Sequence, residues 1–338
     1  MIRTTVYNKL TDKKDIEDIN KENIELMNEF LDYLESVDRS EKTIYQYEKD
    51  LNIFFVWNLK NNNNKFFVDI KKRDFIKFQK TALNEYKWSP ARIKRVKSCI
   101  SSLSNYVESF LDDEFEDYRS VIKKIESPVN EKVRDKSIIP DDKIELLLNT
   151  LTREKRYEQA CAIAVAAYSG MRKAELLLMK DEYFDDNHIV YDGAMYMTDK
   201  IRTKGRGKQG KQLNKYILIG AKPYIDNWIN YKKDNGLNSE WLFVFKENGT
   251  VHKRKSLDFW NKHMSEIIEM PFYWHSLRHY LTSRLIRMNI PEEVIKEFNG
   301  WSDISLVSYY NDNDLKESFG QYFSKDGIIK QEKNNLFD

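Results

Sequence analysis

The 338-residue sequence has no long apolar run, only two cysteines and a net charge of just +2. No apolar stretch approaches the ~20 residues that a membrane-spanning helix needs. The first residues lack the basic and then apolar layout of a secretion signal, so we expect a cytoplasmic protein. Cys99 and Cys161 both lie in apolar helical patterns. That placement predicts reduced thiols within a core and excludes a disulfide-based scaffold.

The small net charge conceals an uneven distribution of basic residues. Positions 65–97 hold eleven Lys or Arg against three acidic residues, and positions 199–215 hold seven against one. Two separate basic tracts fit a protein that holds a polyanion from two sides. Solvated surface lysines would give the same pattern for either tract alone.

Apolar spacing predicts a helical first half after a polar, aperiodic arm at residues 1–20. A helical stripe begins at Ile24, a second helix follows the N-cap Ser40, and a third spans 74–83. Ser89-Pro90 predicts the start of a fourth helix. Its first two turns carry four basic residues that could lie in a DNA groove, although core helices with basic outer faces are more common, namely Arg92, Lys94, Arg95 and Lys97.

Periodicity lapses around Pro128, which predicts a domain boundary there. Beyond it we expect helices at 141–151 and 158–168, then strands at 189–191 and 194–198 around a turn at Asp192-Gly193. A glycine-rich basic turn precedes a strand at 216–219, and helices dominate from there to about residue 323. The predicted segments are an arm (1–20), a helical domain (21–126), a linker (127–137), a second domain (138–323) and a tail (324–338).

A dispersed set of polar residues in the second half has the chemistry of phosphate recognition. Arg172 follows Gly170 at the turn into a helix, and Arg278 lies one helical turn after His275. Two guanidinium groups can hold the non-bridging oxygens of a phosphate and stabilise pentacoordinate phosphorus, a role that Mg²⁺ has in other enzymes. We find no carboxylate cluster spaced to hold a metal, so we expect no metal ion and no cofactor.

The other members of the set supply a nucleophile and proton transfers. Tyr310 can attack phosphorus and form a phosphotyrosine, which keeps the energy of the phosphodiester for rejoining. A tyrosine hydroxyl of pKa about 10 needs help to lose its proton, and His275 is the candidate base or relay. Lys204 can protonate the departing 5′ oxygen, and Trp301 can donate its indole N–H to a phosphate oxygen.

Each of these residues has a simpler explanation when taken alone. An arginine after glycine is commonly a surface residue or part of a helix cap. His275 and His279 have the i,i+4 spacing of zinc ligands, but no Glu or Cys partner lies at metal spacing. Tyr309 and Tyr310 are two of twenty tyrosines. Only the joint order and spacing favour DNA strand cleavage and rejoining.

The motifs together resemble the tyrosine recombinase (phage integrase) family. Residues 169–176 (Ser-Gly-Met-Arg-Lys-Ala-Glu-Leu) look like its first arginine box, and residues 275–279 (His-Ser-Leu-Arg-His) look like its second. Gly300-Trp301 matches the family's glycine followed by histidine or tryptophan. Tyr310 follows that tryptophan at the family's usual spacing.

The resemblance covers about residues 24–323, since residues 30–57 are similar to the opening of the family's core-binding domain. It implies a mainly α fold with a small β-sheet, in which a helical core-binding domain and a mostly helical catalytic domain form a C-shaped clamp on DNA. With some twenty residues before the first helix, we expect no separate arm-binding domain.

The resemblance also implies the site residues. The active site would consist of Arg172, Lys204, His275, Arg278, Trp301 and Tyr310, supported by Glu175 and His279. Lys200 or Lys208 could replace Lys204, and Tyr309 could replace Tyr310. DNA contacts are expected from Arg92, Lys94, Arg95, Lys97, Lys132, Arg134, Lys136, Arg202, Arg206 and Lys208.

The expected partner is double-stranded DNA, bound by a homo-oligomer with a dimer at each site and a tetramer across two sites. No membrane partner is expected, and the sequence does not specify accessory proteins. The main alternative is a DNA-binding regulator that keeps the fold and no longer recombines DNA. A type IB topoisomerase-like enzyme would share the chemistry, but the first half of the chain favours a recombinase.

Overall fold

The computed structural model describes residues 10–129, 138–205, 207, 210–245, 249–310, 323–324 and 327–328. The chain is mainly helical, with short antiparallel strands in its second half. It divides into two compact units. The first contains the helices up to residue 129, and the second contains nearly all of the chain from residue 138.

The helices of the first unit follow the apolar pattern closely. They are α1 (Lys13–Glu17), α2 (Lys21–Ser36), α3 (Glu41–Asn61), α4 (Lys72–Asn84) and α5 (Pro90–Phe110), with 3₁₀ turns at Phe67–Asp69 and Ile122–Lys124. The predicted caps are confirmed, because the hydroxyl of Ser40 accepts a hydrogen bond from the amide of Thr43 and that of Ser89 accepts one from the amide of Arg92.

Aromatic side chains fill the core of the first unit. Phe54 and Trp57 on α3 are fully buried, and the Phe54 ring stacks on Phe75 of α4 with centroids 5.5 Å apart. The Phe78 and Phe54 rings form a T-shaped pair with centroids 5.1 Å apart. These contacts join α3 to α4 through side chains that bury large apolar areas.

The expected aperiodic arm contains the short helix α1 followed by a buried Ile19. The helix starts at the N-cap Asp12, whose side-chain Oδ1 accepts a hydrogen bond from the backbone amide of Asp15. A single turn cannot show helical periodicity, so the sequence pattern gave no sign of it.

The described part of the second unit contains nine helices. They are α6 (Asp141–Arg153), α7 (Tyr157–Ser169), α8 (Lys173–Leu176), α9 (Lys222–Asp234), α10 (Arg254–Asp258), α11 (Asn261–Ile268), α12 (Trp274–Arg287), α13 (Glu292–Asn299) and α14 (Ser305–Tyr310). Residues 160–167 of α7 are buried on every side, because α6, α9 and α12 all pack against this helix.

The strands of the second unit are short and antiparallel. They are β1 (Ile189–Val190), β2 (Met195–Met197), β3 (Ile201–Thr203), β4 (Lys211–Leu213), β5 (Tyr216–Leu218), β6 (Phe323–Ser324) and β7 (Gly327–Ile328), with 3₁₀ turns at Asp181–Phe184, Asp186–His188 and Ile219–Ala221. A sheet has the order β1-β2-β5, while β3 pairs with β4 and β6 with β7. The pair β6–β7 lies where the pattern suggested the end of a helix.

Membrane-spanning helices and the two cysteines were considered in the sequence analysis. None of the helices among the described residues is long and apolar enough to cross a membrane. Cys99 and Cys161 are both buried and free, as the apolar pattern around them predicted. Burial raises the pKa of both thiols, which keeps them protonated.

Candidate active site

Gly170 ends α7 and directs the chain toward Arg172. It has a left-handed φ of +59°, and its amide donates to the carbonyl of Ala166 to close the helix. A Cβ atom at this position would lie 3.1 Å from Oδ1 of Asn299 and 3.3 Å from Cδ2 of Leu281. Glycine is therefore required both by the backbone conformation and by the close packing.

Arg172 is fixed by Glu175 at two points. Oε2 of Glu175 accepts the backbone amide of Arg172 at 3.0 Å, and Oε1 accepts its guanidinium Nη1 at 2.8 Å. The Arg172 side chain stays one-third exposed, whereas that of Glu175 is 2% exposed. Although burial opposes it, the positive charge of Lys215 and the bonds from Arg172 lower the pKa of Glu175. Glu175, predicted as a supporting residue, thus holds both the backbone and the side chain of Arg172.

Arg278 projects from α12 into the interior of the site. Arg278 is only 1% exposed. Its guanidinium donates to the carbonyl of Gly170 at 2.9 Å and to that of Asn299 at 3.3 Å. Burial, reinforced by the charge of Arg172, lowers the pKa of Arg278 to about 10. The group still stays protonated at neutral pH. Two main-chain carbonyls therefore fix the plane of a buried, permanently charged guanidinium.

Trp301 and Tyr310 stack above that guanidinium. Gly300 ends α13 with a φ of +67°, and Trp301 follows it into the site. The Trp301 and Tyr310 rings are nearly parallel, with centroids 5.0 Å apart. The guanidinium carbon of Arg278 lies 4.9 Å from the Trp301 ring centroid and 5.7 Å from that of Tyr310. Cation–π attraction and stacking thus hold the tyrosine beside the arginine.

The hydroxyl of Tyr310 lies 3.0 Å from Nε2 of His275. Desolvation of the histidine ring, together with the charges of His279, Arg278 and Arg172, lowers the pKa of His275 to about 4. At neutral pH the imidazole is therefore uncharged, so its Nε2 can accept the hydroxyl hydrogen. This contact joins the predicted nucleophile to the predicted base.

Burial raises the pKa of Tyr310, although the charges of Arg278 and Arg172 oppose that shift. The free protein thus holds a protonated tyrosine. Its backbone carbonyl accepts the hydroxyl of Ser283 at 3.0 Å, which anchors the end of α14 to α12. The neighbouring Tyr309 is 57% exposed, compared with 7% for Tyr310. Of these two tyrosines, Tyr310 is the one in contact with His275.

His279 lies one turn after His275 on α12 and is buried. Its ring centroid is 4.5 Å from that of Tyr310 and 5.3 Å from that of His275. It therefore packs against both residues of the contact described above. Among the described residues, no group of three potential metal ligands occurs here or elsewhere.

Sequence reasoning missed Lys215 and Asn299. Nζ of Lys215 lies 3.5 Å from Oε2 of Glu175 and 3.5 Å from the carbonyl of Asn299, and the lysine is 1% exposed. The alternation of β5 offered a signal, because Lys215 shares its face with the buried Ile217. Asn299 directly precedes the Gly300-Trp301 motif. Nothing in the sequence indicated that its backbone carbonyl accepts hydrogen bonds from both Lys215 and Arg278.

Lys204 is not placed in this cluster. It directly follows β3 and its side chain is exposed, as is that of Lys200. Lys208 lies outside the described residues. The identity of the proton-donating lysine therefore stays a prediction.

The DNA-contact candidates on α5 are partly engaged in contacts of their own. Arg95 and Arg92 lie 2.8 Å and 3.5 Å from Oδ1 of the buried Asp50, and Arg92 also covers the ring of Trp88 at 4.6 Å. Lys97 donates to the carbonyl of Ile125 and to Ser127, while Lys94 is exposed. Arg202 is an exposed residue of β3. The remaining candidates lie outside the described residues, namely Lys132, Arg134, Lys136, Arg206 and Lys208.

Both halves of the chain match protein-family models. Residues 137–317 match the phage integrase family, and residues 26–117 match the N-terminal SAM-like domain of phage integrases. The first match alone covers more than half of the chain. The chain belongs to the phage integrase family. The family predicted from the two arginine boxes, the Gly300-Trp301 motif and Tyr310 is therefore confirmed.

Curated relatives of this phage integrase family member align along most of its length. The SPbeta prophage-derived recombinase-like protein YomM of Bacillus subtilis (strain 168) is 27% identical over 327 residues, which is 95% of this chain and 92% of the relative. A tyrosine recombinase of Thermosipho africanus (strain TCF52B) is 27% identical over 291 residues, which is 83% of this chain and 92% of the relative.

Among solved structures, a lambda integrase tetramer bound to a Holliday junction matches with a TM-score of 0.61. The match covers 91% of this chain and 82% of the lambda chain at 15% identity. At that identity the likeness shows the fold alone. The predicted mainly α, two-domain fold with a small sheet is confirmed.

Proposed function

We propose that this protein is a site-specific DNA recombinase that cleaves and rejoins strands through a 3′-phosphotyrosyl intermediate at Tyr310. The observation that carries the proposal is the 3.0 Å contact between the Tyr310 hydroxyl and Nε2 of His275, directly beside the buried Arg278. A nucleophile, a neutral base and an anion-binding group thus meet in one chain.

In the proposed cleavage step, Oη of Tyr310 attacks the phosphorus of a DNA phosphodiester and its proton moves to Nε2 of His275. The bond between phosphorus and the 5′ oxygen breaks, and that oxygen takes a proton from a general acid, which we assign to Lys204. Rejoining reverses these transfers when a 5′ hydroxyl attacks the phosphotyrosine. Arg172 and Arg278 stabilise the additional negative charge on the phosphoryl oxygens.

We propose that the negative charge of a bound DNA phosphate activates His275 as a base. Desolvation lowers the pKa of His275 most, and the charges of His279, Arg278 and Arg172 lower it further, so the imidazole is a weak base. A phosphodiester bound between the arginines brings a negative charge that offsets theirs. Its arrival should raise the pKa of His275 and make the imidazole a better proton acceptor.

We further propose that basic residues of both units contact the DNA backbone. In the first unit the candidates are Arg92, Lys94 and Arg95, of which the exposed Lys94 has the least restricted side chain. Lys97 is the weaker candidate because it binds the chain after α5. In the second unit, Arg202 lies near the predicted donor Lys204. The predicted linker residues Lys132, Arg134 and Lys136 complete this proposal.

For the assembly, we propose a homo-oligomer on double-stranded DNA, a dimer at each site and a tetramer when two sites are paired. The lambda integrase of similar fold is a tetramer on a Holliday junction, which supports a tetrameric arrangement here. We place the core-binding domain at 21–126, the linker at 127–137 and the catalytic domain at 138–323, with an arm before them and a tail after them.

The proposed function is tested with nicked DNA substrates that carry the flanking sites of the element encoding this protein. After cleavage, the nick lets the short fragment that carries the free 5′ hydroxyl diffuse away, so the strand cannot be rejoined. Cleavage should therefore leave a protein–DNA adduct that survives denaturation. Tyr310→Phe should abolish the adduct and Tyr309→Phe, the matched control, should retain it. Specific binding without any adduct would support the regulator instead. Relaxation of supercoiled DNA regardless of sequence would support a topoisomerase.

A further inference from the structure

Lys215 is a charged side chain in the interior of the second unit that the proposed reaction does not use. It lies just before β5, on the face of that strand occupied by the buried Ile217, and only 1% of it is exposed. Burying an ammonium group is costly unless it is paired. Two partners lie at 3.5 Å, namely Oε2 of Glu175 and the carbonyl oxygen of Asn299.

Both partners of Lys215 also bind one of the two arginines of the site. Glu175 accepts the amide and the guanidinium of Arg172, and the carbonyl of Asn299 accepts Nη2 of Arg278. The chain of contacts therefore runs from Arg172 through Glu175, Lys215 and Asn299 to Arg278. A single ammonium group joins the anchors of two side chains more than a hundred residues apart in sequence.

The same ammonium lies beside the turn that delivers Trp301. A Cβ atom at Gly300 would lie 2.7 Å from Cδ1 of Leu213 and 4.0 Å from Nζ of Lys215. Gly300 leads directly into Trp301, whose ring stacks on Tyr310. Lys215 therefore lies close to the turn that precedes the ring packed on the nucleophile.

We propose that Lys215 is a positioning residue for strand cleavage, which sets the distance between the Arg172 and Arg278 guanidinium groups through Glu175 and the Asn299 carbonyl. This inference rests on the proposed function. It assigns Lys215 no contact with DNA and no proton transfer. Its effect on the reaction is through the geometry of the two phosphate-binding groups.

The protonation state of Lys215 is compatible with this role. Burial and the nearby charges of Arg278 and Arg172 lower its pKa, whereas Glu175 raises it, and the pKa of Lys215 is about 8. The ammonium form therefore predominates at neutral pH. Arginine would keep the charge at a higher pH, and methionine would keep the length of the side chain without any charge.

The inference is tested by the rate of adduct formation on the nicked substrate with Lys215→Met and Lys215→Arg. Lys215→Met should slow the reaction by roughly 100-fold, because displaced catalytic groups commonly cost that much. Lys215→Arg should recover most of the rate. Glu175→Gln should show a similar loss, and the double variant Lys215→Met/Glu175→Gln should be hardly slower than either single variant. Fully multiplicative losses would contradict a shared pathway.

A second substrate separates positioning from proton donation. If sulfur replaces the bridging 5′ oxygen, the leaving thiolate needs no proton, so the loss caused by removing a general acid disappears. Lys204→Ala should be rescued by this substrate, whereas Lys215→Met should stay slow. Rescue of Lys215→Met would overturn the inference and make Lys215 the general acid.

Two further outcomes are decisive. If the wild type forms no adduct, the proposed function fails and the role of Lys215 fails with it. If the wild type reacts and Lys215→Met reacts equally fast, only the inference on Lys215 is refuted. Circular dichroism checks the fold of each variant; if Lys215→Met does not fold, Lys215→Gln takes its place and must show the same loss without rescue by sulfur.

Discussion

Tyr310 and His275 form the contact on which the proposed chemistry depends, and the residues around them determine their protonation states. Desolvation and the adjacent positive charges hold the pKa of His275 near 4, and burial raises that of Tyr310. The free enzyme thus contains a neutral pair joined by one hydrogen bond. Desolvation contributes most to the low pKa of His275, and in the proposed reaction the negative charge of the phosphate offsets the arginine charges that lower this pKa further.

The low pKa of His275 predicts a pH dependence of stability. The folded pKa of about 4 lies below the usual value of 6.5, so between these values the unfolded chain binds more protons than the folded one. The free energy of unfolding should therefore fall as pH drops from about 6.5 to 4. His275→Gln should remove part of that fall. Urea unfolding at several pH values measures it, and equal slopes for the two proteins would contradict the account.

Site residues could be predicted from the sequence where they belong to short motifs, and not where their role depends on residues distant in the chain. Arg172 and Arg278 follow from short motifs, and Tyr310 follows from its spacing to Trp301. Lys215 could not be identified in this way, because its burial depends on Glu175, forty positions earlier, and on Asn299, which lies well after it. Lys204 has a local signal only, and it remains a prediction for that reason.

Two helix ends converge to build the site. The C-terminal ends of α7 and α13 both carry a glycine in the left-handed conformation, and each end gives a carbonyl to Arg278, from Gly170 and Asn299. A helix end exposes carbonyl groups that lack intrahelical partners. These carbonyls bind the guanidinium here, so helix termination and arginine placement are one feature of the fold.

Gly170→Ala tests this arrangement against Gly236→Ala. Both glycines have a left-handed φ, of +59° and +66°, but a Cβ atom at Gly236 would meet nothing within 4 Å. Gly236→Ala should cost only the conformational penalty of about 1–2 kcal/mol. Gly170→Ala should cost about 2–4 kcal/mol because crowding against Asn299 and Leu281 is added. Urea unfolding gives both values, and equal losses would show that the close packing at Gly170 is unimportant.

Helices with a clear cap and several turns were predictable, and short elements were not. The pattern placed α5 after Ser89-Pro90, where the structure has it. By contrast, α1 and the pair β3–β4 are too short to show a period. The predicted strand at 194–198 is shortened to Met195–Met197, although Ala194 and Thr198 at its two ends still form backbone hydrogen bonds with Ile219 and Lys215.

One chain contains the whole cluster from Arg172 to Tyr310. The hydroxyl of Tyr310 contacts His275 of its own chain, and its ring lies over its own Arg278. Each protomer should therefore cleave with its own tyrosine. Mixing Tyr310→Phe with Arg172→Ala then leaves no protomer with both groups, so the mixture should form no adduct. Adduct formation by the mixture would show that a tyrosine acts in the site of another protomer.

In the proposed reaction, Tyr310 is the residue that becomes covalently joined to DNA. The most direct measurement is mass spectrometry of the trapped adduct after digestion by protease and nuclease. We predict a nucleotide linked through its 3′ phosphate to the peptide that contains Tyr310, with fragmentation placing the added mass on that residue. A nucleotide on Tyr309 or on any other residue, or one linked through a 5′ phosphate, would contradict the account.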